Sequence, residues 1–165
     1  MKIKIAVFTL LVLFLASCST VTPSPDFSVI ELSNNACVVC STTSFVEITK
    51  ITVQNNTSVE TMIYRSTYQY LKSGDIIYES PTDTFMSMNI LIPANTTVNG
   101  ITTRGTVYIE NTSFPFPSKV WGKMVDNDWD GVTLRIFLHG KDNYGYNKTF
   151  TTSFDFGVIT ITSVK

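Results

Sequence analysis

Val132-Thr133-Leu134-Arg135-Ile136-Phe137-Leu138-His139 is the stretch that decides the fold. Val132, Leu134, Ile136 and Leu138 occupy every second position, with Thr133, Arg135, Phe137 and His139 between them. A period of two puts one set on each side of an extended backbone, the pattern of a strand with one face in a core. A helix would scatter the four aliphatic side chains around its circumference.

The same period recurs to either side. Met86, Met88, Ile90 and Ile92 share a face with Ser87 and Asn89 between them; Phe150, Phe154, Phe156 and Val158 share another, spaced by Thr151, Ser153 and Asp155. Met62, Tyr64, Tyr68 and Tyr70 form a fourth face across Arg65, Thr67 and Gln69, which outweighs a helical pattern through Ile63, Thr67 and Leu71. Shorter strands are expected at 27–32, 45–53, 75–79, 105–110 and 120–125. The β-branched and aromatic content suits a pleated surface. Asn34-Asn35, Asn55-Asn56, Ser73-Gly74, Pro93-Ala94-Asn95 and Asn143-Tyr144-Gly145 supply turns between them. At Gly157 the apolar positions change side, to Ile159 and Ile161, which predicts a bulge. Essentially no helix is expected beyond residue 17.

Eight or nine short strands in some 140 residues predict an all-β fold, an antiparallel sandwich rather than a closed barrel. The C-terminal half resembles the immunoglobulin-like domains of bacterial surface proteins. Asn89-Ile90-Leu91-Ile92-Pro93-Ala94-Asn95-Thr96-Thr97 looks like their strand running out into a turn, and 134–140 with 150–161 looks like their terminal hairpin. The chain departs from antibody-type domains in having no two cysteines far enough apart to join two sheets. The resemblance implies an architecture, not an activity.

At 165 residues the chain has room for one domain. Twelve Lys and Arg against 13 Asp and Glu leave no surplus of cations for phosphates, so no nucleic-acid partner is expected. One His and few carboxylates offer little for acid–base chemistry.

Lys2 and Lys4 precede an apolar run, residues 5–16, broken only by Thr9. A charged start and a short apolar middle make a secretory signal, too short to span a bilayer comfortably. The run ends in Leu15-Ala16-Ser17-Cys18, which resembles the lipobox of bacterial lipoproteins. That resemblance implies diacylglycerol on the Cys18 thiol, cleavage before Cys18 and acylation of the new amino terminus. It also implies a place in the cell envelope, and Ser19 favours the outer membrane where there are two. Several acyl chains anchor far more firmly than one. The expected organisation is a signal over 1–17, an acylated Cys and linker over 18–26 (CSTVTPSPD), and one immunoglobulin-like sandwich over 27–165.

Three motifs offer candidate chemistry. Asp126-Asn127-Asp128-Trp129-Asp130-Gly131 opens like a calcium loop, with Asp126, Asp128 and Asp130 able to converge on a hard cation. The twelfth position is Phe137, where a bidentate Glu is needed, and the flanks alternate like strands; a hairpin turn between 120–125 and 132–138 is the favoured reading. Cys37-Val38-Val39-Cys40 has dithiol spacing. Without a helix to lower a thiol pKa, and in an oxidising compartment, a local disulfide is expected rather than redox chemistry. Phe114-Pro115-Phe116-Pro117 with Trp121, and Trp129 in the acidic loop, are candidates for an exposed binding surface. Core closure by Phe114 and Phe116 is the favoured alternative. His139 and Asp142 lack an assigned nucleophile. The sequons at Asn56, Asn95, Asn111 and Asn147 carry little weight beside a signal that resembles a bacterial one, and Asn/Thr-rich turns generate them by chance.

The sequence therefore predicts a lipid-anchored envelope protein whose non-catalytic domain binds a membrane-proximal protein or surface ligand, or fills a structural place. The covalent lipid is the only attached group expected. The alternatives are a calcium-dependent adhesin or carbohydrate-recognising module built on Asp126, Asp128, Asp130 and Trp129, and an envelope thiol oxidoreductase built on Cys37 and Cys40.

Overall fold

The computed structural model describes residues 24–39, 45–81, 86–145 and 147–160. Strands β1 (Phe27–Leu32), β3 (Phe45–Asn55) and β9 (Thr106–Pro115) form one sheet in the order β1-β3-β9. The second sheet runs β2-β11-β10-β4-β5, from β2 (Ala36–Val39), β11 (Thr149–Thr160), β10 (Gly131–Asp142), β4 (Thr61–Lys72) and β5 (Asp75–Glu79). Strand β6 (Met86–Ile92) shares the outer edge of β4 with β5: β6 pairs its first half and β5 its second. A separate ribbon, β7 (Thr96–Val98) with β8 (Ile101–Thr103), stands between β6 and β9. The chain is thus mostly strand, in two layers with a core between them.

The core joins Val46, Ile48, Ile51 and Val53 of one sheet to Ile63, Tyr68, Tyr70, Leu134, Ile136, Leu138, Phe156 and Val158 of the other. The alternations of β10, β11 and β6 hold as read: Val132, Leu134, Ile136 and Leu138 are all buried. On β4 they hold only in part. Its pairing slips between Ile63 and Arg65 on one side and between His139 and Gly140 on the other. Thr61 and Ile63 therefore point inward before the slip, and Ser66, Tyr68 and Tyr70 after it, while Met62 and Tyr64 stay only half-buried. An inserted residue flips every later side chain to the other face.

Four further expectations need correction. Residues 118–126 are a helix, α1 (Ser118–Asp126), not a strand. Val120, Trp121 and Met124 lie on one helical face, with Val120 and Met124 buried, so a short helix closes the end of the core beneath Phe116. The acidic segment after it is accordingly a helix-to-strand connection rather than a hairpin turn. Gly157 is not a bulge: β11 keeps continuous register with β10 from Thr149 to Ile159, and Val158 stays buried. A Cβ at Gly157 would lie 3.1 Å from the Ala36 side chain and 3.2 Å from the Asn35 carbonyl, so the glycine admits β2. That strand pairs parallel with β11, whereas the other strand pairs among the described residues are antiparallel.

Candidate functional site

One end of the sandwich gathers five segments, and Asn55 joins three of them: the turn after β3, Pro93 and Gly105. It closes β3 fully buried, with all its side-chain hydrogen-bonding capacity used. Its Nδ2 donates to the carbonyls of Val59 (2.7 Å) and Pro93 (2.9 Å), and its Oδ1 accepts from Thr57 N (2.9 Å) and Thr57 Oγ1 (3.1 Å). Its backbone N–H donates to the Gly105 carbonyl at 2.8 Å. Asn95 completes the clamp: its N–H donates to Thr57 O at 3.0 Å and its Oδ1 accepts from Gly105 N at 3.0 Å. Gly105 is obligatory, because a Cβ there would collide with the Pro93 carbonyl oxygen at 1.8 Å. The clamp fixes the base of the β7–β8 ribbon to the turn after β3.

The amino-terminal approach reaches the same end, where the Asn56 N–H donates to the Asp26 carbonyl at 2.9 Å. So does the β10–β11 loop. Asn143 N–H donates to Glu60 O (3.0 Å) and its Nδ2 to Glu60 Oε1 (2.6 Å). Buried Asp142 accepts from Tyr144 N (3.1 Å) and Lys148 N (2.6 Å), so its carboxylate shapes this loop. The Asn55-Asn56 pair reads in the sequence as a turn; nothing there marks Asn55 as the buried hub.

From this clamped base the ribbon projects, exposed along residues 96–104. Asn99 (φ 51°) and Gly100 (φ 78°) make the left-handed two-residue turn that suits a hairpin's twist. Val98 and Ile101 face each other across it, 67% and 72% exposed. Tyr144 is exposed at the tip of the neighbouring loop.

The residues singled out from the sequence lie elsewhere. Cys18 and Cys40 are outside the described residues. Cys37 lies on β2, half-buried against the core. Phe114 and Phe116 are buried, which removes them from the candidate binding surface: Phe114 packs edge-on to Tyr68 and Phe116 to Tyr70. Trp121 leans edge-on against Phe116, and Trp129 is capped by the Lys72 ammonium 5.4 Å from its ring centre.

The acidic run does a backbone job. Trp129 N–H donates to Met124 O (2.9 Å) and Asp128 N–H to Val125 O (3.3 Å), with Asp128 left-handed at φ 53°. This pair of bonds is a Schellman cap, which satisfies the last carbonyls of α1. Asp126, Asp128 and Asp130 are all exposed, and among the described residues no three His, Cys, Asp or Glu side chains are grouped to hold a metal ion. Gly131 opens β10, where a Cβ would lie 2.8 Å from Val158 O.

His139 is held between two hydroxyls, Thr67 Oγ1 at 2.9 Å from Nε2 and Thr151 Oγ1 at 3.0 Å from Nδ1. Burial, then the nearby Arg65 charge, lowers its pKa below the ordinary histidine value. It borders a hollow of about 200 Å³ lined by Arg65, Gln69, Glu79 and Phe137, and a second hollow of about 210 Å³ lies beside Lys72 and Gly131. Both are smaller than the usual small-molecule pocket.

Among the described residues, no helix is long and apolar enough to cross a membrane. No family model matches the chain, and no curated protein aligns with it significantly.

Proposed function

We propose that this chain is a bacterial lipoprotein, anchored through Cys18, whose immunoglobulin-like sandwich acts in the cell envelope by binding or by filling a structural place, without catalysis. The observation that carries the reading is the Leu15-Ala16-Ser17-Cys18 sequence at the end of the short apolar run, and the Asn56–Asp26 hydrogen bond puts the start of β1 beside the Asn55 clamp. The segment ahead of β1 leaves the domain at its loop end, so acyl chains on Cys18 would hold that end toward the membrane. Both sheets and the α1 end would remain available to other envelope components. A tether of this kind raises the effective concentration of the domain for membrane-proximal partners.

The strand order supports the immunoglobulin-like part. With β1, β3 and β9 taken as strands A, B and E, and β4, β10 and β11 as C, F and G, the two sheets reproduce the A-B-E and G-F-C neighbours of that architecture. The aromatic cluster around Tyr68 and Tyr70 on β4 fills the middle, where antibody domains pack a tryptophan on strand C against a disulfide.

Growth with radiolabelled palmitate tests the anchor. The wild-type chain should be labelled and recovered with membranes, and Cys18→Ala should be neither. An unlabelled, freely secreted wild-type chain would overturn the reading.

A further inference from the structure

The β7–β8 ribbon carries apolar side chains that its own folding does not call for. Asn99-Gly100 already sets the turn, and Thr97 Oγ1 and Thr102 Oγ1 bridge the ribbon at 2.9 Å. Val98 and Ile101 nevertheless sit at the tip, more exposed than any other large apolar side chain described. They pair only with each other, and the ribbon belongs to neither sheet. An isolated two-stranded ribbon is marginal in water and gains from a surface to lie against.

Three observations identify that surface. The segment from Pro93 to Gly105 contains no Asp, Glu or Lys, and Arg104 at its base is its one charged residue, engaged with Gln54 at 2.8 Å. No charged side chain at the tip therefore resists leaving water. The ribbon projects from the end where the chain from Cys18 arrives, as the shared clamp on Asn55, Asn56 and Thr57 establishes. The lengths also agree. Eight residues from Cys18 to Asp26 reach at most about 29 Å, and three strand residues carry the tip about 10 Å past its base. A bilayer holding lipid on Cys18 thus lies within range of the tip.

We propose that the β7–β8 ribbon is a lipid-contacting finger: Val98 and Ile101 enter the interfacial region of the membrane that holds the Cys18 lipid, with Tyr144 at the headgroup level beside them. Aromatic side chains with a polar tip favour that level. This inference rests on the lipoprotein reading above. A second, non-covalent contact would fix the orientation of the domain over the membrane, where the tether alone would only limit its distance.

The test uses the full lipidated chain in vesicles of phosphatidylethanolamine and phosphatidylglycerol, carrying Ile101→Trp as reporter. Ile76→Trp on β5, at the far end, is the control, and the wild type supplies the Trp121 and Trp129 background. On reconstitution the Ile101→Trp emission should shift to the blue and lose intensity when the acyl chains are brominated, while the Ile76→Trp emission stays put. Mass spectrometry of Cys18 separates the two claims. Lipid present with an Ile101→Trp indole still open to iodide overturns the finger and leaves the anchor standing. Lipid absent overturns both. An indole shielded in whole cells but open in vesicles means a protein covers the ribbon, and that also overturns the lipid contact.

Discussion

The Tyr70 hydroxyl donates to the Pro115 carbonyl oxygen at 2.8 Å, joining the middle of one sheet to the last residue of β9 in the other. The ring lies in a cluster with Tyr68, Tyr78 and Phe116. Among the described residues Cys37 is the one cysteine, and Tyr70 serves as a cross-tie between the sheets from strand β4. Its burial is complete, so the hydroxyl would be costly without a partner.

Tyr70→Phe keeps the ring packing and removes only the bond. The expected loss is about 1 kcal/mol, more if the Pro115 carbonyl is left dry. Urea unfolding should show a lower midpoint at unchanged slope. An unchanged midpoint would mean that water replaces the hydroxyl at no cost.

The same cluster governs alkaline stability. Burial, then the charge of Tyr78, pushes the Tyr68 pKa up to about 12. Burial, then Tyr68, pushes Tyr70 above the ordinary tyrosine range. Folding therefore favours the neutral phenols. The unfolded chain loses these protons first, from about pH 10, so the stabilisation is complete below that value and is lost as pH rises toward 12. Absorbance at 295 nm should show two of the seven tyrosines ionising only as the protein unfolds. All seven ionising together near pH 10 in folded protein would contradict this.

Acid stability turns on His139. Its pKa is lowered in the folded state, so the unfolded chain takes up a proton first as pH falls. The contribution is complete above about 6.5 and is lost as pH falls from there toward the folded value. His139→Gln retains a hydrogen-bonding group for Thr67 and Thr151 and does not titrate. The melting temperature of the wild type should decline between pH 7 and 5, and that of His139→Gln should decline less. Equal slopes would place the sensitivity elsewhere. Asp155 acts at lower pH: its hydrogen bond from Arg135 holds its pKa below the ordinary carboxylate value, so its contribution is lost only as pH falls through that lowered range.

These residues show which parts of the molecule the sequence reveals. β10 and β11 are legible because each has one buried face and no slip between them, so a period of two survives over their length. Tyr68 and Tyr70 are read correctly on β4, but Met62 and Tyr64 are not, because the slip before Arg65 is invisible in composition. Residues 120–125 fit both periods, since a window of six cannot separate a strand through Val120, Gly122 and Met124 from a helix through Val120, Trp121 and Met124. The loop end is the least legible part. Its clamp depends on Asn55 meeting Pro93, a contact 38 residues apart, and its exposed tip is two ordinary aliphatic residues beside an Asn-Gly turn.

Asp128 offers a gain. It holds the left-handed position of the Schellman cap, where a Cβ costs energy and glycine does not. Asp128→Gly should stabilise the fold by up to about 1 kcal/mol, offset in part by the greater freedom glycine gives the unfolded chain. Asp128→Val should destabilise it, because a β-branched side chain tolerates that backbone least. Calorimetry on the two variants gives both signs at once; the reverse order would discard the cap.

A disulfide within the Cys37-Val38-Val39-Cys40 segment would compete with β2. The strand is extended from Ala36 to Val39 and pairs Cys37, Val38 and Val39 with Val158, Ile159 and Thr160. An extended chain advances about 3.3 Å per residue. A disulfide needs its two Cα atoms within about 7 Å. Closing a Cys37–Cys40 bridge would therefore draw Val38 and Val39 out of register with β11, and the edge of that strand would be uncovered as far as Gly157. Amide exchange should be faster at Val38, Val39 and Ile159 in oxidised than in reduced protein, with β10 unaffected. Exchange that does not depend on the redox state, in protein shown by mass to carry the bridge, would mean that strand and disulfide coexist.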